Sequence, residues 1–416
     1  MASRMAAKGL IQRSSGAAGE QAPTWLTVDN ARLLADRLSH LRGAAMKMGQ
    51  MLSLHSDQLL PKEFADALGR LRSNADVMPQ SQVEEVLAHA YGGRWRERFA
   101  DIEMTPLASA SIGQVHLATS LDGRRLALKI QYPGVRESID SDVDNLASLV
   151  ALGRMLPNGL DLRAVIGEVK RQLHAEADYR REAEQGLMYA QCVRDEPGLR
   201  VPRIDRELTT ESTLAMEYID APNLFEWAEG ASQEQRDWIG AQLVRLTLRE
   251  LLIFRLSQTD PNMGNYLWDP QQQRIVLLDF GATQPVPIEI SRVYAAVLRA
   301  GMKGDPKAMR DALELAGAID PQLPPQAADF YVGIALSATA LLREAGRHHF
   351  GTDDLMRRLR TWAKEGLKHG MPLRSPPAEL TFFQRKVGGT YLMCRRLHAA
   401  VDCRTIAEET LTTAAL

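Results

Sequence analysis

The sequence predicts an α+β fold of two lobes, with a helical extension at the N-terminus, a small β-rich lobe and a larger, mainly helical C-terminal lobe. Three observations predict it. Apolar residues recur at helical spacing early in the chain, a strand-like alternation fills Thr105 to Tyr132, and helical periodicity dominates the second half. With 416 residues and 45% hydrophobic content the chain can bury one large two-lobed core or two ordinary domains. The expected divisions are a tail at 1–28, the helical extension at 29–100, the small lobe with inserted helices at 101–220, and the large lobe at 221–416.

From Asp29 the series Leu34, Leu38, Leu41, Ala45, Met48 and Leu52 alternates steps of four and three, which writes an amphipathic helix with Asp29 or Asn30 as N-cap. A further helical pattern runs from Ser81 to Tyr91. The texture then changes. Val115 to Ala118 and Leu126 to Gln131 flank Asp122-Gly123, and two alternating runs around such a dipeptide predict a hairpin. A long helical stretch is expected from about Leu162 to Val193, and another strand from Ser212 to Ile219.

Composition excludes several classes. A formal net charge of -2 gives no general electrostatic reason to bind nucleic acid. Cys192, Cys394 and Cys403 form neither a CxxC pair nor an even disulfide framework, which predicts a reducing compartment and no structural zinc. The longest uncharged run, Phe330 to Leu342, falls well short of the roughly 20 residues a membrane-crossing helix needs, so no span is expected. Residues 1–20 carry Arg4, Lys8 and Arg13 with no acid before Glu20; a plain tail is preferred to a transit peptide, which shares that composition.

The chemistry concentrates in Gln258-Thr-Asp260-Pro-Asn-Met-Gly-Asn265 and, after a turn, Ile275-Val-Leu-Leu-Asp279-Phe-Gly281. Phosphoryl transfer from ATP needs carboxylate and amide oxygens on Mg²⁺ and a carboxylate that orients the attacking group. Asp260 and Asn265 stand at the D-x-x-x-x-N interval of a kinase catalytic loop, and Asp279-Phe-Gly supplies a second metal carboxylate. Each motif alone is as readily a turn, but the two in order at short range point to Mg-ATP. Upstream, alternation puts Leu126, Leu128 and Ile130 on one strand face and Lys129 on the other, where it can reach phosphates. Glu176 lies on the apolar stripe of its helix and calls for a cationic partner, with Lys129 and Lys47 as candidates. Where an ordinary kinase has a glycine-rich loop, this chain has Ala108-Ser109-Ala110-Ser111, whose Cβ atoms restrict positive φ.

Together with Lys47-Met-Gly-Gln50 and Glu176-Ala-Asp-Tyr-Arg-Arg-Glu182, these motifs resemble the AarF/UbiB (ABC1) atypical kinase-like family over about residues 29–290, in particular its branch linked to ubiquinone biosynthesis. The resemblance implies a protein-kinase-like fold and ATP with Mg²⁺ as cofactors. It implies that Lys129 is the nucleotide lysine, Asp260 the catalytic-loop aspartate, and Asn265 and Asp279 metal ligands. Met216 to Asp220, including Glu217, Tyr218 and Ile219, become the adenine hinge. Lys47 and Gln50 become gating residues near Glu176, and Glu182 a second acid close to the metal. The implied partners are isoprenoid quinone precursors or other lipids and quinone-synthesis proteins, with cytoplasmic placement peripheral to a membrane, on the mitochondrial matrix side in a eukaryote.

Two departures bear on activity: Gln258-Thr259 stands where kinases have His-Arg, and no APE-like segment follows Asp279-Phe-Gly. Protein substrates are therefore not expected. ATP hydrolysis or lipid-linked phosphoryl chemistry is the first reading, and a slow nucleotide-gated lipid- or protein-binding module the competing one.

Overall fold

Alternation between Gly113 and Gln131 closes into the predicted hairpin, around which the first of two compact units is built. The computed structural model describes residues 77–110, 112–152, 162–343, 346–368 and 378–416. One unit reaches to Ala183 and takes in Ile204–Tyr218; the other comprises Glu184–Arg203 and Ile219–Leu416. Residues 184–203, expected in the small lobe, thus group with the second unit. The helix expected over residues 29–52 lies outside the described residues.

In the first unit, α1 (Gln80–Tyr91) precedes β1 (Phe99–Ile102), β2 (Ala108–Ala110), β3 (Gly113–Ser120) and β4 (Arg125–Gln131). Then come α2 (Val135–Leu152), α3 (Leu162–Glu176), α4 (Tyr179–Cys192), whose last nine residues belong to the second unit, β5 (Leu199–Arg200), which lies in the second unit, and β6 (Thr213–Glu217). The sheet is antiparallel in the order β1-β3-β4-β6, with β2 also on β3. Leu126, Leu128 and Ile130 are buried on one face, as the alternation requires, and pack with Val83, Leu87, Trp95 and Phe99. The segment around α1, expected in a separate extension, is part of this core because its apolar stripe covers that face.

The long helix expected over 162–193 is two helices. Ala177 and Asp178 break it, and Asp178 begins the second as its cap, its Oδ1 accepting from Arg181 N at 3.2 Å. The break is held by the sheet: Gln131 Nε2 donates to Ala177 O at 2.8 Å and Tyr179 N to Glu211 O at 3.2 Å.

The second unit contains α5 (Leu224–Ala228), α6 (Gln233–Arg249), β7 (Leu256–Gln258), β8 (Tyr266–Asp269), β9 (Arg274–Leu277) and β10 (Thr283–Pro285). Helices α7 (Ile288–Lys303), α8 (Pro306–Leu315) and α9 (Pro325–Ala338) follow, then β11 (His348–His349), α10 (Leu355–Lys368), α11 (Ala378–Arg396), β12 (Ala400–Val401) and α12 (Cys403–Ala414). Ser232 and Gln235 form a capping box that starts α6. Its apolar face, Ile239, Leu243 and Leu246, joins Tyr266, Ile275, Leu277 and Phe280 in one core. Among the described residues no helix is long and apolar enough to cross a membrane.

Candidate functional site

Two short ladders in the second unit set the site. β8 and β9 pair antiparallel with Tyr266 opposite Leu277, and one step outward Leu278 N donates to Asn265 O at 2.9 Å. Asn265 and Asp279 therefore emerge together at the open end of this hairpin. β7 pairs with β10, Gln258 opposite Thr283, and the pairing continues as Thr259 N donates to Ala282 O. Gln258 Nε2 also donates to Asp279 O at 3.3 Å. The segment that carries Asp260 is thereby stapled to the one that carries Asp279, although the two lie nineteen positions apart in the sequence.

Asp279 has a φ of +57°, in the left-handed region that costs a non-glycine residue about 1 kcal/mol or more. Its Oδ1 accepts from Gly281 N at 3.1 Å, a local bond of the kind that lets Asp hold this conformation. Asn265 is buried, and its Nδ2 has no partner among the described residues. Gln258 Oε1 is likewise unsatisfied. Both line a cavity of about 10 Å³ with Tyr189, Tyr266 and Lys386, at the lower limit of what a single water needs. Outside that cavity, the hairpin end offers the Asp279 carboxylate and the Asn265 amide oxygen, acceptors for a divalent cation that brings other oxygen ligands with it. Among the described residues no group of three or more His, Cys, Asp or Glu forms a metal cage.

Asp260, partly buried, receives a charge-assisted hydrogen bond from Arg385 Nη2 at 2.6 Å. The next residue, Lys386, reaches Glu250 at 3.0 Å, and both side chains are essentially buried. Glu250 also accepts from the Tyr189 hydroxyl, from Ser257 Oγ at 3.1 Å and from Gln258 N at 3.3 Å. Burial alone would lower the Lys386 ammonium, but the charges of Glu250 and Tyr266 outweigh it and hold the group above the ordinary lysine value. Burial, with Glu250 adding to it, pushes the Tyr189 phenol well above its usual value. None of Arg385, Lys386, Glu250 or Tyr189 was legible as part of the site. Their only signal is a Glu at the end of an apolar helix and an Arg-Lys pair inside another.

In the first unit Lys129 Nζ lies 3.0 and 3.1 Å from the two carboxylate oxygens of Glu182, and 5.0 Å from the centre of the Tyr179 ring. Glu182, expected as an acid close to the metal, is thus seated on Lys129. Glu176, half-buried at the end of α3, is engaged in interactions of its own. Ala108, Ser109 and Ala110 form β2, Ala110 opposite Gly113; Ser111 lies outside the described residues, as do Lys47 and Gln50. Glu217 ends β6, and Tyr218 follows it, with Arg125 4.4 Å over the Tyr218 ring; Ile219 and Asp220 belong to the second unit.

Comparisons with known proteins identify the family. The family model described as the ABC1 atypical kinase-like domain matches residues 70–313. The chain is 37% identical to the atypical kinase COQ8B, mitochondrial, of Rattus norvegicus, over 94% of this chain and 74% of that protein. It is 34% identical to the atypical kinase COQ8, mitochondrial, of Saccharomyces cerevisiae, over 97% of this chain and 80% of that protein. Among solved structures, the complex of Rv3197 with erythromycin from Mycobacterium tuberculosis superposes with a TM-score of 0.66 at 29% identity, covering 92% of this chain and 95% of that one. An α+β kinase-like fold, the Asp260–Asn265 and Asp279-Phe-Gly motifs beside the paired strands β8 and β9, and relatives similar over most of their length lead to one conclusion: the chain belongs to the ABC1 atypical kinase-like family.

Proposed function

We propose that this chain binds Mg-ATP and moves its terminal phosphoryl group to water or to a hydroxyl on a small, lipid-linked acceptor. The observation that carries the reading is the stapling of the Asp260 segment to the Asn265–Asp279 hairpin end, which gathers the three oxygen-bearing side chains the chemistry needs. Asp260 accepts the proton of the attacking hydroxyl as the new O–P bond forms. The bond to the β-phosphate oxygen breaks, and ADP leaves with that electron pair. Asn265 and Asp279 would hold the Mg²⁺ that arrives with the nucleotide. The bound ion offsets charge on the phosphate oxygens.

Lys129, kept in place by Glu182, would take the phosphates together with Ala108, Ser109, Ala110 and Ser111, and Glu217 to Asp220 would take the adenine edge. Lys47, Gln50 and Glu176 gate access. By its likeness to proteins named COQ8, the physiological setting is isoprenoid quinone synthesis at a membrane that the chain contacts peripherally.

A second reading, a nucleotide-gated lipid- or protein-binding module, is favoured by the alanine-rich segment: Cβ atoms on Ala108 and Ala110 limit backbone approach to phosphate. Phosphate release from Mg-ATP by the purified chain, with and without quinone-containing vesicles, separates the two. Turnover that Asp279→Asn abolishes without changing the unfolding midpoint supports the enzyme. Tight nucleotide binding with no turnover supports the module.

A further inference from the structure

An ordinary kinase catalytic loop places an arginine immediately before its aspartate; here that position is Thr259, whose hydroxyl donates to Ala282 O at 2.7 Å. The whole segment Gln258–Asn265 contains no lysine or arginine. The cation that meets Asp260 comes instead from Arg385, 125 residues further on, in a region with no sequence signal for function.

Arg385 does not act from a mobile surface chain. Its side chain is only 10% exposed and that of Asp260 only 18%. The helix under it is fixed to the same part of the fold by its neighbours at i+1, i+4 and i+5, which share one face. Lys386 pairs with Glu250, Thr390 Oγ1 meets Thr247 Oγ1 at 2.7 Å, and Gly389 faces Pro261. A Cβ on Gly389 would lie 2.1 Å from Pro261 Cβ and 2.4 Å from its Cγ, so only glycine lets the loop seat there. The bond engages Oδ1 of Asp260.

We infer that α11 is the platform on which the catalytic loop is set, and that Arg385 is a positioning residue: it holds one oxygen of Asp260 so that the other faces the attacking hydroxyl. The inference rests on Asp260 being the catalytic-loop aspartate. Misplacement of a reacting group by about 1 Å costs on the order of a hundredfold in rate. Loss of this hold therefore shows in kcat and not in nucleotide capture.

The test compares full-length wild type, Arg385→Gln, Arg385→Lys and Gly389→Ala in Mg-ATP hydrolysis, alongside hydrogen–deuterium exchange of the peptide covering residues 256–266. Arg385→Gln is expected to lower kcat about ten- to a hundredfold with KM for ATP within about twofold. Exchange should quicken in 256–266 with residues 386–396 still protected. Arg385→Lys should recover part of kcat. Gly389→Ala should repeat the exchange pattern with Arg385 intact, which keeps the question answerable should Arg385→Gln fold poorly. Unchanged or raised kcat in Arg385→Gln, or a loss of kcat matched by a general loss of protection, overturns the positioning role. If wild type hydrolyses no ATP, the phosphoryl-transfer reading fails, and unaltered exchange in 256–266 of the variants then overturns the platform as well.

Discussion

Replacing Lys386 with Met should destabilise the second unit far more than an ordinary surface lysine would. The ammonium is 2% exposed and its partner Glu250 is 0% exposed, so removal of the cation leaves a carboxylate with no path to water. Breaking a buried pair by deleting one member typically costs about 3–5 kcal/mol. Glu250 keeps three donors, the Tyr189 and Ser257 hydroxyls and Gln258 N, which places the expected loss at the lower end, about 3 kcal/mol. For a domain of about 150–250 residues that is a fall of roughly 6–12 °C in the unfolding midpoint. Urea unfolding followed by tryptophan emission reads this unit, because Trp227 and Trp268 stack within it at 4.7 Å. The double variant Lys386→Met with Glu250→Gln, which removes both charges, should recover to within about 1 kcal/mol of wild type. A single variant that loses less than about 1 kcal/mol, or a double variant as unstable as the single, would refute the reasoning.

Lys386 and Tyr189 both hold their protons more tightly when folded, so the stability they contribute is complete below about pH 10 and lost as pH rises through their folded values; unfolding midpoints across pH 6 to 11 should be flat in their contribution until the alkaline end. His116 has the opposite sign. Burial lowers it, partly offset by its 2.8 Å bond to Glu103 O, so stability is present above about pH 6.5 and falls as pH drops, and His116→Gln should flatten that acid limb in a pH series of urea midpoints. Gly113→Ala puts a Cβ 2.2 Å from Ile130 O across the β3–β4 hairpin and should cost about 1–3 kcal/mol or more by thermal shift. Glu182→Gln removes the charge seated on Lys129 and should weaken ATP about tenfold in a nucleotide titration, with unchanged affinity refuting the role given to that pair.

Local chemistry made part of the molecule legible. The hairpin was written in alternation around Asp122-Gly123, because a strand's period of two and a turn's need for permissive backbone are both local. The Asp260–Asn265 interval and Asp279-Phe-Gly were readable because each motif is a short run of fixed spacing. The helix break at Ala177-Asp178 was not, since periodicity continues through it, and what stops the helix is the distant carboxamide of Gln131. Past that break, Glu182 on the second helix meets Lys129.

The sequence by itself determined the α+β class, the strand face of Lys129 and the interval between Asp260 and Asn265, all set by periods and spacings of a few residues. Only the tertiary structure decided which carboxylate meets Lys129, that a buried Lys386–Glu250 pair underlies the catalytic segment, and that Arg385 reaches Asp260. Those contacts join residues 53 to 136 positions apart, and the energy of burying a charge depends on what packs around it, which no local window of sequence contains.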